Sequence, residues 1–140
     1  MKLVIDASVT LKWLLKDDPH EQDVDKALDI LDGIVAGSHG MVQPPHWLAE
    51  ILAVMARRKP KAVDATFETM DELVEEYCVS RAVYLRAADI SSRLNQHLFD
   101  TLYHALALEL GATLITADER YYGAAAQEGA VQRLSDFKAV

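Results

Sequence analysis

HLFDTLYHALALELGATLITADERYY, residues 97–122, holds a helix, a stop and a strand in one run. Asp100 to Leu110 reads as a helix, and Gly111 follows at the position where a left-handed residue ends one. Thr113 to Thr116 is short, uncharged and β-rich, enough for one buried strand. The helix is apolar almost all round through Leu102, Tyr103, Ala105, Leu106, Ala107, Leu108 and Leu110, the mark of an element covered on most sides. Yet Asp100 stands in its first turn, stacked by three- and four-residue spacing on Tyr103 and His104, and Asp118 leaves the strand that follows. Each acid has a plain structural reading. Asp is among the best N-cap residues, and its charge suits a helix N-terminus. For either acid alone, capping and chemistry stand even.

Outward from that stretch, 140 residues suffice for one domain, 1–140, with a core of its own. Hydrophobic residues at 51% and charged residues at 26% fit a soluble globular protein. No apolar run is long enough to span a membrane. The N-terminus enters a strand at once, Lys2-Leu3-Val4-Ile5, which predicts that no secretory signal is present. A single cysteine, Cys78, leaves no partner for an internal disulfide and no Cys-based zinc site, and reads as a small buried hydrophobe. The expected compartment is the cytoplasm. A net charge of −8 argues against a broad basic face that coats nucleic acid. It leaves room for an enzyme that holds nucleic acid through a metal and a few Arg and Lys residues.

Taken in order, KLVID (Lys2 to Asp6) is a strand ending on an acid, its continuous apolar run typical of a central parallel strand. A helix through Trp13 and Leu14 ends at Asp17-Asp18-Pro19. A second, from about Asp23, carries Val24, Leu28, Leu31 and Val35 on one stripe. Gly37 to Gly40 breaks it, and Met41-Val42-Gln43 is a strand closed by Pro44-Pro45. The next helix starts at about Pro45 with Leu48, Ile51, Leu52 and Met55 as its core stripe. Glu50 lies off that stripe, in line with Trp47 and Val54, at an apolar margin; from this helix alone the solvated reading is the safer. Arg57-Arg58-Lys59 complements the helix C-terminus, and is a solvated end or a contact for phosphate. Pro60 opens a helix with Val63, Phe67, Met70, Leu73, Val74 and Tyr77 at core spacing, and a short extended piece follows near Cys78-Val79. Arg81 to Leu94 is a further helix; Tyr121 to Glu128 is a short one, and Ala130 to Leu134 a last strand. Strands alternating with helices predict a three-layer α/β sandwich with a mostly parallel sheet. In such sheets function gathers at the C-terminal ends of the strands.

Asp6 and Asp118 follow strands, and Glu50 lies in the first turns of the helix after the second strand, so all three fall on that edge. For Asp100, whose helix runs into a strand rather than out of one, this reading is silent. At 4 Å and an effective dielectric of 20, two carboxylates repel by about 4 kcal/mol. A cluster of them persists where a cation cancels the repulsion, and an all-oxygen set favours Mg²⁺ or Mn²⁺. There is no nucleophile elbow, no Walker loop and no His-rich zinc motif.

LVIDASV (Leu3 to Val9), PHWLAEILAVM (Pro45 to Met55), FDTLYHALALELGATLITADERYY (Phe99 to Tyr122) and the short last strand, in this order and spacing, resemble the PIN-domain ribonucleases, and most closely the VapC-type toxins of prokaryotic toxin–antitoxin pairs. The resemblance covers essentially the whole chain. It implies a PIN-like α/β/α sandwich with a five-stranded parallel sheet. It also implies that Asp6, Glu50, Asp100 and Asp118 form an acidic quartet that is catalytic and binds Mg²⁺ or Mn²⁺, with Ser8 and Thr116 supporting it from behind. The implied activity is cleavage of RNA phosphodiester bonds by metal-activated water. The implied partners are an RNA substrate, a cognate antitoxin protein and a second copy in a homodimer. Two positions depart from the family pattern: Ala53 stands where many relatives have Asn, and Phe99 where Tyr is common. Two rivals are weighed against this. A haloacid-dehalogenase-like phosphatase needs a second Asp two residues after the first, and position 8 is Ser. A non-catalytic module of the same fold, working by binding alone, has no need of four acids.

Overall fold

The computed structural model describes residues 1–139. Its strands are β1 (Lys2–Ile5), β2 (Gly40–Gln43), β3 (Glu76–Tyr77), β4 (Thr113–Thr116) and β5 (Val131–Arg133). Its helices are α1 (Ala7–Leu14), α2 (Val24–Val35), α3 (His46–Arg58), α4 (Val63–Leu73), α5 (Arg81–Leu94), α6 (Leu98–Leu110) and α7 (Glu119–Ala125). The five strands pair in the order β3-β2-β1-β4-β5, every pair parallel. From β1 the chain steps outward to β2 and β3, then crosses back to β4 on the other side of β1 and on to β5. Right-handed crossovers therefore place α1–α4 on one face and α5–α7 on the other. This is the expected three-layer α/β architecture. The reversal of direction falls between β1 and β4, and there the C-terminal strand ends open into a crevice.

Register is tight at the centre: Leu3, Val4 and Ile5 lie opposite Thr113, Leu114 and Ile115. All but Thr113 of these are essentially solvent-free, as strands covered on both faces must be. Between β1 and β2 the backbone ladder runs only from Lys2 to Leu3. Beyond it the Gln43 side chain takes over, accepting from the Ile5 N–H at 2.7 Å and donating to the Ile5 carbonyl at 2.9 Å. Sequence alone gave no sign that this glutamine is interior.

The other differences from expectation have identifiable causes. On α3 the buried stripe is Trp47, Ile51 and Met55, rotated from the predicted one; Trp47 sits inside because its indole N–H has a partner, donating to Thr10 Oγ1 at 2.9 Å. Leu48 and Leu52 are half-buried. Phe67, expected in the core, is exposed, since α4 has α3 on one side and buries Thr66 and Met70 instead. Val35 ends α2 in solvent. Leu85 is likewise exposed, α5 facing inward with Val83, Ala87 and Ile90. Tyr77 is not helical: α4 stops at Leu73 and Tyr77 pairs with Gln43 in β3. The strand predicted near Cys78 is thus two residues earlier, and Cys78 is half-buried. Arg58 and Lys59 sit at the far end of α3 from the strand C-termini. There Arg58 pairs with Asp18 at 2.8 Å and Lys59 Nζ donates to the Leu14 carbonyl at 3.3 Å, so this cluster staples α1 to α3. No helix among the described residues is long and apolar enough to cross a membrane.

Candidate functional site: four carboxylates at the reversal point of the sheet

β1 delivers Asp6 and β4 delivers Asp118, one on each side of the crevice. Asp6 caps α1 in extended backbone, with its N–H donating to the Ile115 carbonyl at 3.0 Å. Its carboxylate accepts from the Ser8 N–H at 3.2 Å, from the Ser8 hydroxyl in a very short contact, and from Thr116 Oγ1 at 3.4 Å. Ser8 Oγ in turn accepts from the Ala117 N–H at 3.1 Å, and Thr116 Oγ1 from the Asp118 N–H at 3.0 Å. The two hydroxyls thus lace the end of β1 to the end of β4. Burial pushes the Asp6 carboxyl up to about 6 against the pull of both Ser8 hydrogen bonds, and the charges of Asp100 and Glu50 add to the rise. Burial therefore outweighs the neighbour repulsion inferred from sequence.

Asp118 does cap its helix: its carboxylate accepts from the Tyr121 N–H at 3.0 Å at the start of α7. Asp100 does not cap. The residue before α6 is His97, whose side chain makes no capping bond, and Asp100 is the third residue of the helix. Its carboxyl is raised first by burial, then by the charges of Glu50 and Asp118, with His97 and His46 opposing. Asp100 and Asp118 line one cleft of about 340 Å³ together with Asn95, Gln96, His97, Arg120 and Tyr121.

The place of Asp100 follows from a turn. α6 passes into β4 through Gly111 and Ala112, and Gly111 takes the left-handed conformation at φ 64°. So short a joint makes helix and strand antiparallel. The start of α6 therefore lies level with the end of β4, on the same edge as Asp6 and Asp118. The sequence carried this signal in the length of that turn.

Glu50 comes from the second turn of α3, after β2. One oxygen, Oε1, accepts from the Tyr103 hydroxyl at 3.0 Å and lies 3.1 Å from His46 Nε2. Glu50 is half-buried, not the solvated residue its helix alone suggested. Burial and the Glu50 charge push the Tyr103 phenol far up, so it stays a neutral donor. Sequence reasoning missed both partners. Tyr103 is in the core as its helix predicts, but nothing local signals that its hydroxyl reaches Glu50, and His46 carries no local signal of its contact with that acid one turn on.

Each of the four acids therefore feels at least one of the others: Asp6 feels Asp100 and Glu50, and Asp100 feels Glu50 and Asp118. Among the described residues none of the four forms an ion pair with Lys or Arg, the sole basic contact being His46 on Glu50. Among the same residues no three His, Cys, Asp or Glu side chains are already drawn together as a metal-holding group. The donor chemistry fits a hard divalent cation, with oxygen ligands alone and negative charge that no protein cation cancels.

Known proteins agree with this architecture. The fold is shared with a crystal structure of VapBC2 from Rickettsia felis bound to a DNA fragment from their promoter, at TM-score 0.72 and 14% identity over 95% of this chain and 98% of that one. It is shared also with a structure of VapBC-1 from nontypeable Haemophilus influenzae, at TM-score 0.68 and 16% identity over 97% of this chain and 100% of that one. No curated protein matches the sequence closely enough to count. The PIN domain family matches residues 3–127, so Asp6, Glu50, Asp100 and Asp118 all lie within the match, and the chain belongs to the PIN domain family.

Proposed function

We propose that this chain is a Mg²⁺- or Mn²⁺-dependent endoribonuclease and the toxin of a type II toxin–antitoxin pair. One observation carries the reading: at the edge where β1 and β4 part in a PIN domain, Asp6 is acted on by the charges of Asp100 and Glu50, and Asp100 by those of Glu50 and Asp118, and among the described residues none of these acids pairs with Lys or Arg. Both solved relatives named above are VapBC assemblies, which supports a cognate antitoxin as partner. A homodimer is the assembly the same resemblance implies, with residues 1–140 acting as one catalytic domain in the cytoplasm.

Asp6, Glu50, Asp100 and Asp118 would hold the cation. Bound there, a divalent ion supplies Lewis-acid polarisation of the phosphodiester and activation of the attacking water. The chain's own residues prepare the place. Ser8 and Thr116 orient the Asp6 carboxylate, and Asp118 is fixed by its bond from the Tyr121 N–H. Arg120, on the wall of the cleft that holds Asp100 and Asp118, is a cation available to a phosphate group, and His97 lines the same wall.

The test is cleavage of a mixed RNA panel in Mn²⁺ by wild type, Asp6→Asn and Asp100→Asn. Both variants are expected to lose several orders of magnitude in rate while their circular dichroism stays unchanged. Full activity in both rejects the assignment. A wild type that cuts none of the RNAs favours the purely binding role.

A further inference from the structure

A group of aromatic residues stands beside Glu50. His46 opens α3, one turn before Glu50, and reaches across to α6. Its Nε2 donates to the carbonyl oxygen of Phe99 at 2.9 Å, the peptide immediately before Asp100. The same nitrogen lies 3.1 Å from Glu50 Oε1. Both partners are acceptors, so the proton is on Nε2. The ring cannot swing away freely. It is held by Tyr103 at 4.7 Å and Phe99 at 5.5 Å between centroids, both in tilted contact. Tyr103, one turn beyond Asp100 on α6, donates to that same Oε1 at 3.0 Å. Two groups from different elements thus converge on one oxygen of Glu50. One of them also grips the backbone that carries Asp100.

We propose that His46 is a positioning residue, a strut from Glu50 to the first turn of α6 that fixes the spacing of Glu50 and Asp100, with Tyr103 locking the Glu50 rotamer. The inference rests on the reading of these acids as a cation site. Glu50 and Asp100 come from opposite faces of the sheet, and the strut supplies a direct polar tie between their elements. With Oε1 committed to His46 and Tyr103, Oε2 is left as the oxygen for a cation. Partners of this kind behind a ligand typically change metal affinity by about 10–100-fold when removed.

The experiment measures Mn²⁺ affinity directly, from free Mn²⁺ by electron paramagnetic resonance, on the full chain without RNA. His46→Ala is expected to weaken Mn²⁺ binding by about tenfold or more. His46→Gln, whose amide can donate to the Phe99 carbonyl, should recover most of that loss. Tyr103→Phe should give a smaller loss. The decisive arm is coupling. In a Glu50→Ala background, adding His46→Ala should change Mn²⁺ affinity little, because there is no longer a Glu50 carboxylate to hold in register with Asp100. A residue needed merely for folding would lower the melting temperature in both backgrounds and show no such coupling. Should His46→Ala fail to fold, His46→Gln and Tyr103→Phe, each alone and with Glu50→Ala, carry the same comparison. Wild-type affinity in every strut variant, or losses equal in both backgrounds, overturns the proposal while leaving the cation site standing. A wild type that binds no Mn²⁺ overturns both.

Discussion

Gln43 lays its side-chain amide along the backbone of Ile5, closing two hydrogen bonds of 2.7 and 2.9 Å where β1 and β2 have stopped pairing. The pair is solvent-free. It holds the last residue of β1 in place, and the next residue is Asp6. Gln43→Leu keeps the volume and removes both partners, leaving a buried N–H and C=O of Ile5 unsatisfied. The expected loss of stability is about 2–4 kcal/mol, read from urea midpoints. A loss under 1 kcal/mol would mean that water enters and that the amide is not structural.

That pair shows where sequence reading stops. The strand-helix alternation and the Gly111 stop were legible because backbone preference and apolar spacing fix them locally. Asp6 and Asp118 were placed on the right edge because each follows a strand. Gln43, Tyr103 and His46 were not legible. Their roles come from partners 38 to 53 residues away, and nothing in local composition tells a satisfied buried amide from an exposed one. Phe67 failed in the opposite direction. Its helical spacing was right, but periodicity cannot say which side of α4 the neighbouring α3 will cover.

The uncancelled charge at the crevice bears on the proposed antitoxin. A segment that blocks the site has to meet four carboxylates that, among the described residues, form no ion pair with Lys or Arg. Arg suits this best, since its planar fork can take a carboxylate through two hydrogen bonds. The cognate antitoxin is expected to place an Arg or Lys against Asp6, Glu50, Asp100 or Asp118. Its replacement by Ala should weaken the complex by roughly 2–5 kcal/mol in a titration without metal. A complex with apolar contacts alone at the crevice contradicts this.

Ser8 makes a separate prediction about protons. Its hydroxyl and N–H both hold the Asp6 carboxylate in its charged form, against the burial that pushes the group up to about 6. Ser8→Ala removes the hydroxyl, so the Asp6 value should rise further, as followed by the carboxyl carbon resonance in metal-free protein. The sign for stability follows. A folded value above the ordinary 3.8 favours the protonated fold, so this contribution is whole below pH 3.8 and is lost as pH rises through about 6. The loss amounts to about 3 kcal/mol. Asp6→Asn carries no such proton. Its stability relative to wild type should therefore climb by about that amount between pH 3.8 and 6 and level off above. A relative stability that stays flat across this window would show Asp6 to be unperturbed.

Asp100→Asn separates the structural from the chemical role of the acid that opens α6. Asp100 makes no capping hydrogen bond, so Asn forfeits none. What Asn does lose is a favourable charge at the helix N-terminus, about 0.3–1 kcal/mol. Against that, the Asp100 carboxyl is raised by burial and by Glu50 and Asp118. A raised group stabilises the fold below its unfolded value and costs stability once pH has passed the folded one. At pH 7.5 without metal the two effects oppose each other, and burial with two like charges should outweigh one screened dipole. The variant is expected to melt higher than wild type. Adding Mn²⁺ should then reverse the order, because a ligand raises the melting temperature only of the form that binds it. Wild type should gain with Mn²⁺ concentration while the variant gains far less. A variant that melts lower without metal, and responds to Mn²⁺ as wild type does, would make Asp100 a structural acid and move the cation elsewhere.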